Sequence, residues 1–204
     1  MVKSYTIGGF QTNTYVVYND RNECIIIDPS LDFKSIYNEI VNRYEVKAIL
    51  LTHGHLDHID GCRYFKDLPI YIYKDEERML YDSHLSLYDM IGSKTPFSRG
   101  DLKIVPLNDN QTFNLIGFDI KIIHTPGHTA GSSCYWIDGD LFTGDTLFYF
   151  TCGRTDFPTG SMDDIVNSVR LLVKAFPEDT IVFPGHDRTT TIGNEKKHNY
   201  CLRG

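Results

Sequence analysis

Three histidines and an aspartate fall within six positions, His53-Gly54-His55-Leu56-Asp57-His58. Imidazole and carboxylate are the ligands that borderline metals such as zinc, iron and manganese accept. The spacing fits that chemistry. His53 and His55 lie two apart, so on extended backbone they point to the same side. Asp57 and His58 follow at once, and a turn there aims a second pair at a neighbouring point. The plain alternative is a surface loop that happens to be rich in histidine, but a loop has no need of four such groups so close together.

A metal site can draw its remaining ligands from distant sequence. Three loci fit: Thr125-Pro126-Gly127-His128-Thr129, Phe142-Thr143-Gly144-Asp145-Thr146 and Phe183-Pro184-Gly185-His186-Asp187. Each follows a stretch that reads as a strand. A glycine stands just before each candidate, where it would let the backbone approach a bound ion without a side-chain clash. Singly these are weak signals, since strand–glycine–polar turns are common. All three in order after the opening motif form a specific pattern. His84, His124 and His198 read as packing or surface residues, with His124 a possible partner for His128 four positions on. Arg154 has two readings: it binds a substrate carboxylate, or it pairs with Asp156 to hold its own loop. Cys152 reads as a buried structural thiol.

Elements must position these groups. Ser4 to Ile7, Thr14 to Tyr18 and Glu23 to Ile27 are β-branched and aromatic, punctuated by Gly8-Gly9 and Asn19-Asp20, and read as strands. A helix follows, with Phe33, Ile36, Tyr37, Ile40, Val41 and Tyr44 on one face. Val46 to Leu51 is a short apolar strand that delivers the opening motif. Ile59, Cys62 and Phe65 then recur at helical spacing, so the motif sits on a strand-to-helix turn. Leu68 to Tyr73 gives another strand. Asp75 to Gly100 reads as helical pieces broken by Gly92, Pro96 and Gly100, either a wall or lid for a substrate or a surface connection. Strands return at Lys103–Val105, Gln111–Leu115, Phe118–His124, Ser133–Ile137 and Leu141–Thr143, with Asp138-Gly139 as a hairpin turn. Ser161 to Phe176 is the clearest helix, opened by Ser161 and Asp164 and closed by Pro177. Thr180–Phe183 is a last strand and Ile192 to His198 a short helix. Strands and helix, then strands and helix again, suit two sheets packed face to face with helices outside.

The 204 residues suit one domain with a sizeable core. The net charge of −7 argues against a nucleic-acid partner, which usually requires a basic face. No apolar run approaches the roughly 18 residues of a membrane span, and the N-terminus has no apolar signal region. Cys24, Cys62, Cys134, Cys152 and Cys201 form an odd, scattered set without a C-x-x-C pair. They read as reduced thiols of a cytoplasmic protein rather than a disulfide framework.

The opening motif resembles the H-x-H-x-D-H signature of the metallo-β-lactamase-fold hydrolases. With the three later loci, and with Gly153-Arg154-Thr155-Asp156-Phe157-Pro158, the chain is similar to the short, single-domain glyoxalase II-like branch. That resemblance implies an α+β fold, a four-layer αββα sandwich with a dinuclear site between the sheet edges. It implies that His53, His55 and His128 hold one metal, that Asp57, His58 and His186 hold the second, and that Asp145 bridges both. Asp57 and Asp145 would be the catalytic carboxylates and Arg154 a substrate contact. The cofactors would be two divalent ions, zinc first, with iron or manganese as alternatives. The activity implied is hydrolysis of S-2-hydroxyacylglutathione or a related small thioester by a metal-bound hydroxide. Full-length glyoxalase II enzymes grip glutathione with a helical C-terminal domain. The sequence runs 18 residues past His186, and residues 1–204 are expected to form the metallo-β-lactamase-like domain alone, without such a segment. The persulfide dioxygenases, which share the fold and use one iron, are the second function the resemblance admits. A β-lactamase fits less well, because a histidine-rich second site with a bridging aspartate matches the thioesterase branch.

Overall fold

The computed structural model describes residues 1–203. Strands β1 (Val2–Ile7), β2 (Thr12–Tyr18), β3 (Glu23–Ile27), β4 (Glu45–Leu50), β5 (Pro69–Tyr73) and β6 (Lys103–Leu107) form one sheet in that order. Its first three strands pair antiparallel and the rest parallel. The second sheet runs β12 (Thr190–Thr191), β11 (Ile181–Pro184), β10 (Asp140–Gly144), β9 (Ser133–Ile137), β8 (Phe118–His124), β7 (Thr112–Leu115). There only β10 and β11 pair parallel.

Side-chain alternation explains why the central strands are apolar throughout. Tyr15, Val17, Ile25, Ile27, Ala48 and Leu50 face Ile120, Ile122, Tyr135, Ile137 and Phe142 across the sandwich. Their neighbours Val16, Cys24, Ile26, Ile49 and Leu51 point the other way, onto Phe33, Ile36 and Ile40 of helix α1 (Lys34–Arg43) and its entry. On the far side, Ile123, Cys134 and Leu141 meet Val169 and Leu172 of helix α3 (Met162–Ala175). Strands covered on both faces must be hydrophobic on both. The result is the α+β, four-layer αββα sandwich of the metallo-β-lactamase fold.

Several local expectations need correction. The helix after the opening motif is one turn only, α2 (Leu56–Ile59), and tightens into a 3₁₀ stretch at Asp60–Tyr64. Gly61 explains this: its N–H donates to the Pro29 carbonyl at 2.8 Å and its Cα abuts Phe33, where a Cβ would lie 2.8 Å from that ring. Val41 is 37% exposed, so it lies outside the buried face assigned to it. Asp138 and Gly139 both have positive φ, the geometry of a two-residue hairpin between β9 and β10.

The cysteines also differ from the reading as five reduced thiols. Cys152 and Cys201 form a disulfide, while Cys24, Cys62 and Cys134 are buried and free. The pairing is tertiary. Helix α4 (Ile192–His198) and the turn after it fold back on the 145–158 loop, where Asn199 donates to the Thr151 carbonyl and Tyr200 N–H to that of Phe150, each at 2.9 Å. Among the described residues no helix is long and apolar enough to cross a membrane.

Candidate metal centre

Four loops meet at one edge of the sandwich. The opening motif leaves the end of β4 in the first sheet. The loops carrying His128, Asp145 and His186 leave β8, β10 and β11 in the second. Backbone bonds stitch the two sheets together there: Ser133 N–H donates to Thr52 O at 2.9 Å and Asn13 N–H to Gly185 O at 2.7 Å.

All seven residues named from the sequence lie in this one place. His53, His55 and His128 form one cluster and Asp57, His58 and His186 a second, the ligand atoms within each lying inside 4.8 Å of one another. Asp145 stands between them. Its Oδ1 is 3.4 Å from His58 Nε2, and its Oδ2 is 3.4 Å from His128 Nε2 and 3.5 Å from His186 Nε2. Asp57 Oδ2 lies 3.4 Å from His58 Nε2 and 3.3 Å from His186 Nε2.

Hydrogen bonds behind the rings decide which nitrogen faces inward. His58 Nδ1 donates to Asp28 Oδ2 at 2.9 Å, His128 Nδ1 to the Arg154 carbonyl at 2.7 Å and His186 Nδ1 to the Gln11 carbonyl at 3.3 Å. Thr52 Oγ1 donates to Asp28 Oδ2 at 2.6 Å, which leaves it to accept from His53 Nδ1 at 3.1 Å. Each of these four rings thus turns its Nε2 toward the centre. His55 is reversed, with Nδ1 facing His128 Nε2 at 2.9 Å.

The donor set fits divalent cations. His53 Nε2, His55 Nε2, His58 Nε2 and Asp145 Oδ1 are buried and have no hydrogen-bond partner among the described residues, which is costly for polar atoms that bind nothing. Burial, with His58 adding repulsion, holds His53 neutral, well below the usual histidine range. Burial and the neighbouring His128 bring His55 down to about 3. Burial opposes charge on His58 as well, but the carboxylates of Asp57, Asp145 and Asp28 outweigh it and raise that histidine. Burial likewise opposes charge on His186, which Asp145 and Asp57 lift to about 10. Buried carboxylates that pull protons onto adjacent imidazoles mark a place where positive charge is favoured, and metal binding there would release those protons.

Other residues sort differently. The glycines do not all serve close approach to an ion. A Cβ on Gly127 would lie 2.2 Å from Ile165 N of α3, and one on Gly144 2.3 Å from Thr52 Oγ1. Of these three, Gly185 alone abuts ligand side chains: a Cβ there would lie 2.2 Å from Asp145 Oδ1. His124 is not a partner of His128; it donates to the Ala130 carbonyl and stacks on Tyr73. His84 pairs with Asp89 on the surface, and His198 packs on Phe150. Arg154 lines the cleft above the ligands, with its guanidinium bonded twice to Asp156 at 2.6 and 2.5 Å and lying 4.0 Å over Phe157.

Sequence reasoning missed three residues of the site. Asp28 orients His58 directly and His53 through Thr52. Its only signal was its place at the end of β3, whose register with β4 sets Ile27 opposite Leu50. Thr12 donates to Asp57 Oδ2 at 2.8 Å. Glu76 is fully buried behind the ligand loops, where it accepts from Gly54 N–H, Thr129 Oγ1 and Gly131 N–H. Nothing in the sequence distinguishes it from the acidic residues beside it.

A buried His/Asp cluster at the edge of an αββα sandwich is the centre of a divalent-metal hydrolase, and the chain belongs to the metallo-beta-lactamase superfamily, whose family model matches residues 7–186. Within that superfamily it is similar to the hydroxyacylglutathione hydrolase GloC of Haemophilus influenzae, 32% identical over 96% of this chain and 95% of that protein. Among solved structures it resembles BLEG-1, a B3 metallo-beta-lactamase, with 34% identity, a TM-score of 0.91 and full coverage of both chains. It also resembles TTHA1623 in a di-iron-bound form, with 30% identity and a TM-score of 0.81 over 98% of this chain and all of that one.

Proposed function

We propose that the protein is a dinuclear metallohydrolase that cleaves thioesters, with zinc as the first metal to test. The observation that carries this reading is the position of Asp145. Its two oxygens reach the ligand nitrogens of both clusters, as a bridging carboxylate requires. The name of the Haemophilus influenzae relative supports a thioester as substrate.

When bound, a pair of divalent ions supplies a water that ionises near neutral pH and polarises the carbonyl under attack. The protein's own residues do the rest. His53, His55 and His128 offer three imidazole nitrogens. Asp57, His58 and His186 offer a carboxylate and two imidazoles whose rear nitrogens are tied down. Thr12 fixes Asp57 Oδ2, so this carboxylate, which lines the cleft, is held where it can accept the proton of the attacking water. Leu56, Phe148 and Phe157 wall the cleft, so a substrate seated against them would displace water and strengthen charge interactions inside it. No serine or cysteine nucleophile is required.

One paired measurement tests this. The protein is purified without added metal and its metals are counted. The same sample is assayed for thioester hydrolysis and for persulfide-dependent oxygen uptake. Two ions per chain at saturation, with hydrolysis, are expected. A single iron with oxygen uptake and no hydrolysis would replace this reading with the dioxygenase one.

A further inference from the structure

Three large apolar side chains stand in solvent at the mouth of the cleft, where they contribute little to the core. Phe10, 49% exposed, tips the turn between β1 and β2. Met90, 64% exposed, and Ile91, 48% exposed, sit on the 3₁₀ turn Tyr88–Ile91. All three line a cavity of about 610 Å³ that opens onto the metal ligands, with Leu87, Phe148 and Phe157 as its wall. Leu87, Met90 and Phe157 also line a second cavity of about 270 Å³ beside the first, so the apolar surface continues past its mouth. Exposed apolar surface grouped around a cleft marks a binding surface.

The backbone goes out of its way to build this rim. Leu87 has φ 67°, the left-handed region that favours glycine, and the turn it opens carries Met90 and Ile91 outward. The strained turn is anchored to the site. Leu56 N–H of α2 donates to the Ser86 carbonyl at 2.8 Å, and the Tyr88 hydroxyl donates to Asp60 at 2.7 Å. Strain that the surroundings hold in place at a cleft points to a role there.

Charge narrows what the rim can hold. Among the described residues, Arg154 is the only lysine or arginine lining the cavity, and Asp156 already engages its guanidinium. A substrate with several remote carboxylates would find no free cation on this wall.

We propose that the rim binds hydrocarbon: the substrate is a thioester whose acyl or thiol side carries an extended aliphatic or aromatic group. This rests on the thioesterase reading and adds the class of substituent. Each methylene that enters the cleft should raise kcat/KM about fourfold until the cleft is filled, the burial energy of a methylene expressed as a rate ratio. The gain should appear in KM, because hydrocarbon far from the carbonyl is bound equally before and at the transition state.

The test uses the metal-loaded full chain and two substrate series. One runs from acetyl to decanoyl thioesters of a single small polar thiol, and the other from methyl to octyl thioesters of acetate. Both are assayed with wild type, with the Met90→Ser, Ile91→Ser double variant, and with Phe10→Ser on the opposite lip. In parallel, calorimetry measures binding of the inert methyl and octyl thioethers of the same thiol. Efficiency that climbs along at least one series, a climb flattened by either variant, and tighter binding of the octyl thioether would support the proposal. S-lactoylglutathione is then expected to be poorer than the best long-chain thioester. If thioesters turn over but both series are flat, the apolar rim is overturned and the thioesterase reading stands. If no thioester turns over yet thioether binding rises with chain length, the rim stands and the thioesterase reading falls. If both experiments are flat and no thioester turns over, both are overturned.

Discussion

At the scale of single residues, the centre depends on what stands behind each ligand as much as on the ligand. Asp57→Asn keeps the side chain's shape and its contact with Thr12 but removes the negative charge beside His58 and His186. The metal count per chain should fall from two toward one, read by elemental analysis. Thioester hydrolysis should fall at least ~10²–10³-fold, the usual effect of losing one strong electrostatic group at a reacting centre. A variant that keeps both its metal content and its activity would sink the two-metal thioesterase. Asp28 stands behind the two clusters and holds His58 and Thr52. Asp28→Asn should weaken metal binding by roughly 10- to 100-fold, as loss of a ligand-orienting carboxylate commonly does. Competition with a chelator of known affinity measures this, and an unchanged affinity would mean that the His58 ring is held by packing alone.

At the scale of elements, the ligand loops are pressed into place by neighbours distant in sequence. The start of α3 lies directly on the loop that carries His128: Ser161 N–H donates to the Gly127 carbonyl at 2.8 Å, and Gly127 has φ 137°. Gly127→Ala would drive a Cβ into the backbone of Ile165. We expect a loss of several kcal/mol, in the range of severe packing and backbone mutations, together with weaker metal binding. Thermal melting of metal-free and metal-loaded protein measures both, and a variant as stable as wild type would show that α3 can slide. This element was the clearest in the sequence because it carries a strong apolar stripe and a capped start. Strands β3, β8 and β9 and helix α4 fall at the residues read from the sequence, the strands because the sandwich buries their isoleucines. The opening motif was legible because its residue types have few other uses at that spacing. The one-turn α2 was not, since the contact of Gly61 with Phe33 overrides a local helical period. Glu76 was not, since its three donors come from two other segments. The pairing of Cys152 with Cys201 depends on a fold-back of the last helix that the spacing of cysteines does not encode.

At the scale of the whole molecule, Glu76 joins the two halves of the sandwich, taking Gly54 N–H from the first sheet's loop and Thr129 and Gly131 from the second's. Burial pushes its carboxyl up to about 7, although the three donated hydrogen bonds pull it down. The folded value lies above the ordinary 4.5. Its contribution to stability is therefore fully present below about 4.5 and is lost as pH rises through about 7. Measured by urea unfolding of metal-free protein, the difference between wild type and Glu76→Gln should shift against wild type by roughly 3 kcal/mol across that window. A difference that stays constant from pH 4.5 to 8 would refute the assignment. The disulfide acts at the same scale. Cys152 and Cys201 are 49 residues apart, and the ring they close contains α3, β11 and the ligand His186. In mechanical terms the last helix and this ligand are shielded from tension. A pull on the two chain ends passes through the sulfur–sulfur bond and bypasses everything between. Stretched in optical tweezers, the oxidised protein should come up short of the reduced one by about 160–175 Å, the reach of 49 residues at 3.3–3.6 Å each. Equal contour lengths in the two states would mean that the ring is not closed.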